Sequence, residues 1–220
     1  MPHFVNASKH YFISTNYKVL YSLLYSQPAL QEIKMDVLGQ HYRCNQVTPG
    51  WLGHFLIVRD PYTRLESFFK DKFRQDPVVT LRGYDQLQRC HRFFCSYLRI
   101  DPADSPMTIR EKLLRLSFEE FVHLLPTVYL LDGHLHPQVN MMTIRFRGAP
   151  IQLKFDRILQ IESAADLAYL QDELAIDVSQ KINNTNQVAW SPPWHPDLRA
   201  VVNDLYKADF ATFQYEMRTG

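Results

Sequence analysis

Three places in the sequence combine residue types that could do chemistry. The stretch VRDPYTRLESFFKDKF (58–73) sets Arg59 where the apolar run Phe55–Val58 ends and puts Ser67 on the helix expected to follow. A guanidinium at the end of a buried strand can grip a phosphate through two parallel hydrogen bonds. The stretch ISTNYKVLYSLL (13–24) pairs Lys18 with Ser22, four residues on, at the expected start of a helix. An ammonium, a hydroxyl and helix-terminal amides suit an anion. The glycines of a GxxxxGK[ST] loop are absent, so this is not that loop. The stretch DGHLHP carries His134 and His136. An imidazole with an ordinary pKa of about 6.5 can accept a hydroxyl proton near neutrality. Their spacing would also serve a metal, but no third ligand lies nearby and there is no HExxH, so no metal is expected.

These residues need a scaffold. Tyr11–Ser14 and Phe55–Val58 read as buried strands, and Phe155–Ile161 as a third. Helical spacing follows the first strand over about 18–25. After the second, Pro61 suits the first helical position and Asp60 the cap. Residues 84–98 have helical spacing. Thr108 with Glu111 and Ser117 with Glu120 fit the capping box, Ser163 should start a helix running to about Leu174, and Pro196 a C-terminal one. Residues 181–196 are rich in turn formers. Strands alternating with helices imply an α/β protein with a small, mainly parallel sheet flanked by helices. Ligands of such sheets bind at the carboxyl ends of the strands, here the turns at 14–18 and 58–61.

The totals narrow the class. At 220 residues the chain suits one domain, 1–220, with a sizeable core. A formal net charge of +1 provides no general field for nucleic acid or an anionic membrane, so an anion must be caught locally. Cys44, Cys90 and Cys95 form no CxxC pair and no even set, which reads as free thiols in a reducing compartment. The N-terminus lacks an apolar h-region and no apolar run approaches the length of a membrane span. The expected location is cytoplasmic.

RDPYTRLESFFKDKF resembles the 3′-phosphate motif RDPxxRLxSxxxDK of Golgi-type carbohydrate sulfotransferases and their bacterial relatives, matching it from Arg59 through Asp60, Pro61, Arg64, Leu65 and Ser67 to Asp71 and Lys72. Lys18 and Ser22 match the lysine and hydroxyl of the family's PKxGxT loop, while Tyr17 stands for its proline and Leu20 and Tyr21 for its small residues. FEEFVHLLPTVYLLDGHLHPQ (118–138) is similar to the FxxFV helix and DxHxxPQ element. FDRILQIESAADLAYLQDELAI (155–176), KINNTN (181–186) and LYKADFATFQY (205–215) follow in family order.

The resemblance implies a P-loop-NTPase-like sulfotransferase fold. It also implies transfer of a sulfuryl group from 3′-phosphoadenosine 5′-phosphosulfate to a carbohydrate or similar hydroxyl, with adenosine 3′,5′-bisphosphate as product and no metal. Residue by residue it implies a catalytic base at His134, with His136 as fallback, and Lys18 at the leaving phosphate. Lys18, Tyr21 and Ser22 would bind the 5′-phosphosulfate, Arg59 and Ser67 the 3′-phosphate, and Asn183 and Thr185, with Lys181, would close over the nucleotide. The alternative is a sulfotransferase-like protein that binds nucleotide or glycan without turnover, prompted by the bulky residues in the first loop. A kinase would need a glycine-rich loop and a Mg²⁺ carboxylate that the sequence does not present.

Overall fold

The computed structural model describes residues 2–43, 53–74, 81–179 and 191–219. In chain order the strands are β1 (His3–Asn6), β2 (Tyr11–Thr15), β3 (Gln31–Ile33), β4 (Gly53–Val58), β5 (Thr143–Phe146), β6 (Ala149–Gln152) and β7 (Arg157–Gln160). The helices are α1 (Tyr21–Ser26), α2 (Met35–Arg43), α3 (Pro61–Phe73), α4 (Arg89–Arg92), α5 (Cys95–Leu98), α6 (Pro106–Arg115), α7 (Phe118–Val128), α8 (Ala164–Asp172), α9 (Pro196–Leu205) and α10 (Lys207–Phe213). The chain divides into two compact units, one of residues 1–60, 137–184 and 208–215 and the other of residues 61–136, 185–207 and 216–220.

The first unit is built on a five-stranded sheet ordered β3-β1-β2-β4-β7. β2 pairs parallel with β4, and β4 with β7, while β1 runs antiparallel to both its neighbours. Four of the five strands therefore point the same way, as the alternation of strands and helices predicts. Tyr11, Ile13, Phe55 and Ile57 face a core shared with Leu23 and Leu24 of α1 and Leu170 of α8. Their sequence neighbours Phe12, Leu56 and Val58 face the opposite side, against Leu38 of α2, Ile144 of β5 and Phe213 of α10. Burial on both faces explains the unbroken apolar runs YFI and FLIV. Gly53 opens β4 at φ +124°, and a Cβ there would meet the Asp156 carboxylate, which accepts the His54 amide at 2.8 Å.

The second unit is helical. Phe68, Phe69 and Phe73 of α3 pack with Phe121 of α7, and Phe73 meets Phe94 edge-on at 5.2 Å. The capping box of Ser117 and Glu120 forms in full at the start of α7. Cys90 and Cys95 are free and buried, and burial raises the Cys90 thiol to about 12, which disfavours the thiolate; Cys44 lies outside the described residues.

Several boundaries differ from the sequence expectation. The first helix starts at Tyr21, not Lys18, because Lys18 and Leu20 take positive φ and interrupt the helical path. Residues 84–98 form a 3₁₀ turn and two short helices; the Phe94 amide bonds the His91 carbonyl three residues back, which breaks the α pattern between them. Thr108 does not cap its helix. Pro106 sets the first helical position, so Ser105 is the cap and accepts the Thr108 amide at 3.1 Å. β7 is shorter than 155–161. Strands β1 and β3, helix α2 and the β5–β6 hairpin were not anticipated. The hairpin turns through Arg147 and Gly148, both at positive φ, the backbone a tight two-residue turn requires.

Candidate functional site

In the first unit three strand ends are tied together at the carboxyl edge of the parallel strands. Asn16 takes the chain out of β2, its Oδ1 accepting the Tyr17 amide at 2.8 Å, while the Thr15 hydroxyl donates to the Val19 carbonyl at 2.5 Å. Lys18 and Leu20 follow at φ 68° and 54°, with Val19 between them outside the positive region. The Val19 amide closes the turn on the Asn16 carbonyl at 3.2 Å. Without glycine, each left-handed residue stores on the order of 1–3 kcal/mol of strain, which the surrounding bonds must hold. Lys18 therefore sits on a strained turn before the helix, rather than at the helix start that the sequence suggested.

Arg59 leaves the neighbouring strand, and its Nη1 donates to the Lys18 carbonyl at 3.1 Å. The Arg59 guanidinium thus meets the backbone of Lys18. The backbone of Arg59 is bracketed by the buried Gln138 side chain, which accepts the Arg59 amide at 2.9 Å and donates to its carbonyl at 2.7 Å. Gln138 is held in turn by Asp209, fully buried, whose two oxygens accept the amides of Gln138 and Val139 at 2.8 and 2.9 Å. Glu162, after β7, accepts the Asp60 amide and the Tyr215 hydroxyl, each at 3.0 Å. Burial, then the Glu162 carboxylate, raises the Tyr215 phenol well above its usual range, so it stays a donor. Gln138, Glu162 and Asp209 lie in segments that sequence reasoning quoted without assigning them a task. Asp209, a carboxylate among apolar and aromatic residues, was the available signal.

The bulky residues of the turn pack inward. Leu20 and Tyr21 lie against the core under the sheet, and the Tyr21 hydroxyl donates to Glu32 Oε2 at 3.2 Å. Ser22 follows, half-buried on α1. Asn183 and Thr185, with Lys181, lie outside the described residues.

In the second unit, Ser67 is buried on α3, one turn beyond Arg64. Arg64 is fully buried, donates to the His136 carbonyl at 2.8 Å and lies over the Tyr206 ring at 5.3 Å. The Tyr206 hydroxyl donates to the Leu135 carbonyl at 2.7 Å. These bonds fix the backbone that presents His134, whose ring Nδ1 lies 2.6 Å from Asp132 Oδ1. A carboxylate only accepts, so Nδ1 carries the hydrogen and, in the neutral ring, Nε2 is the basic nitrogen. Burial opposes ionisation of Asp132, but hydrogen bonds from the ring and amide of His134 outweigh it and hold the carboxyl below its usual value. His136 is tied differently: its Nε2 donates to the Leu130 carbonyl at 2.9 Å.

At the sheet edge Arg59 thus bonds the turn that carries Lys18, and in the second unit His134 is oriented by the buried Asp132. The model of the sulfotransferase family matches residues 43–216, and the chain belongs to that family. Among curated proteins it is similar to carbohydrate sulfotransferase 12 of Mus musculus, 26% identical over 179 residues, and to that of Xenopus laevis, 27% identical over 179 residues. Each alignment covers 73% of this chain and 39% of the relative, so the chain spans about two fifths of the length of these proteins. No solved structure matches it. No described helix is long and apolar enough to cross a membrane.

Proposed function

We propose that this protein transfers a sulfuryl group from 3′-phosphoadenosine 5′-phosphosulfate to a hydroxyl of a carbohydrate. The observation that supports the reading is the 3.1 Å hydrogen bond from Arg59 Nη1 to the Lys18 backbone carbonyl, which ties the turn after β4 to the turn after β2. The donor set fits a nucleotide bearing two separate phosphate positions: a planar guanidinium for one, an ammonium for the other.

The bound nucleotide supplies the sulfuryl group, which passes to the acceptor oxygen as adenosine 3′,5′-bisphosphate departs. Lys18 provides positive charge where negative charge accumulates on the departing phosphate. Arg59 and Ser67 hold the 3′-phosphate and so favour this nucleotide over ADP. His134 Nε2 takes the acceptor proton, while Asp132 keeps the tautomer correct and stabilises the imidazolium that forms. A cytoplasmic site of action belongs to this reading, in keeping with the unpaired, buried Cys90 and Cys95.

Thermal-shift measurements with adenosine 3′,5′-bisphosphate, ADP and AMP test the donor class. A selective rise in Tm with the bisphosphate is expected, and an equal response to all three refutes it. The turn without glycine supports a second reading, binding without turnover. Bisphosphate binding with no sulfated product across a broad panel of sugars would establish that alternative.

A further inference from the structure

The turn that carries Lys18 also starts a row of aromatic rings. Tyr17 meets Tyr21 at 5.3 Å between ring centroids, Tyr21 meets Tyr25 at 6.0 Å, and Phe4 of β1 closes on Tyr21 at 6.0 Å. Tyr25 at the far end is 65% exposed. Beside it lies an open cavity of about 520 Å³ lined by Phe4, Tyr25, Leu30, Gln31 and Glu32. Gln31 and Glu32 belong to β3, the edge strand of the sheet, and both are exposed. The Glu32 carboxylate is anchored by the Tyr21 hydroxyl at 3.2 Å.

These groups match the surface of a sugar ring. A pyranose has flat C–H faces that pack on an aromatic face and a rim of hydroxyls that a carboxylate and an amide can bridge. Among the described residues the lining contains no cationic side chain, and its one charged group is Glu32. A ring bearing a carboxylate or sulfate would face that charge unpaired, which rejects it. We infer that this cavity is an acceptor subsite for a neutral sugar residue, with Tyr25 as its platform and Glu32 as the group that excludes acidic rings. The inference rests on the carbohydrate reading of the acceptor above.

The test is a titration of the full chain, followed by NMR or calorimetry, with chitotetraose as the neutral probe and tetragalacturonate as the acidic one. It is repeated on Tyr25→Ala and Glu32→Gln, with the thermal response to adenosine 3′,5′-bisphosphate recorded for each protein. Both side chains are at the surface, so folding should persist, and circular dichroism checks it. The expected result is binding of chitotetraose over tetragalacturonate, roughly tenfold or greater loss in Tyr25→Ala, and acquired tetragalacturonate binding in Glu32→Gln. The bisphosphate response should stay as in wild type. Chitotetraose binding that both variants leave unchanged overturns the subsite, as does absence of chitotetraose binding to the wild type. The bisphosphate response is independent of the sugar result, so its loss in the wild type marks failure of the donor reading instead.

Discussion

Asp132 Oδ1 accepts two hydrogen bonds from the same residue, one from the His134 ring at 2.6 Å and one from the His134 amide at 2.8 Å. The aspartate thereby sets both the tautomer of the ring and the turn that carries it. Removing the charge should separate these effects. In Asp132→Asn, kcat is expected to fall by roughly 10²-fold or more, by analogy with other Asp–His pairs. The KM for the donor should hardly move, and the acid limb of the pH–rate profile should shift. Partial rescue by Asp132→Glu would mark a positioning role. An unchanged pH profile with a mere loss of folded protein would leave Asp132 as scaffolding only.

His134→Ala should lower kcat by roughly 10²–10⁴ with bisphosphate affinity intact. The corresponding His136→Ala change should cost far less, because the His136 ring is already committed to the Leu130 carbonyl. Full turnover in His134→Ala would move the base elsewhere.

Arg59→Ala should weaken bisphosphate binding by about 1.5–3 kcal/mol, the worth of one lost charge-assisted contact. Calorimetry on a variant with native circular dichroism decides this. Equal affinity in that variant would falsify the assignment of the 3′-phosphate to Arg59.

Asp209→Ala strands the amides of Gln138 and Val139 in a buried place. At about 1–3 kcal/mol for each unsatisfied group, a loss of roughly 2–6 kcal/mol is expected. For a chain of this size that is a Tm drop of roughly 5–15 °C. Bisphosphate affinity should fall too, since Gln138 no longer holds Arg59 in place. Wild-type melting would show that the bracket carries little weight.

Stability should decline on mild acidification. Tyr42 donates to the Lys154 carbonyl, so it accepts from His54 Nδ1; His54 Nε2 then accepts from Ser14, and Ser14 from His3 Nδ1. Each ring therefore holds a single proton, and His3 Nε2 has no partner among the described residues. Burial first, then the N-terminal charge, lowers His3 to about 4; burial, then His3 and His41, lowers His54 to about 3. The unfolded chain takes up protons below about pH 6.5 and the folded one does not. This contribution is complete above pH 6.5 and is lost as pH falls toward 4, at about 2 kcal/mol for each histidine by pH 5. Urea midpoints at pH 7 and pH 5 measure it, and His54→Gln should flatten the slope.

The parallel core and the Arg59 turn were legible because buried strands are apolar and an Asp-Pro pair marks a helix start. The Lys18 turn was legible in its charge but not in its shape, since left-handed backbone is normally signalled by glycine and here Lys18 and Leu20 adopt it. β3 is three residues long with two exposed side chains, so it leaves no periodic trace. Gln138 and Asp209 act on backbone atoms about 70 to 80 positions away, a relation that no local pattern encodes.

The bracket around Arg59 has a consequence for synthesis. Arg59 emerges from the ribosome early, but Gln138 and Asp209 follow only after many more codons have been read. Until then the arginine's backbone lacks its clasp, and a nascent or prematurely ended polypeptide carries Arg59 unbraced. The brace on Arg59 is thus completed only at the last stage of assembly.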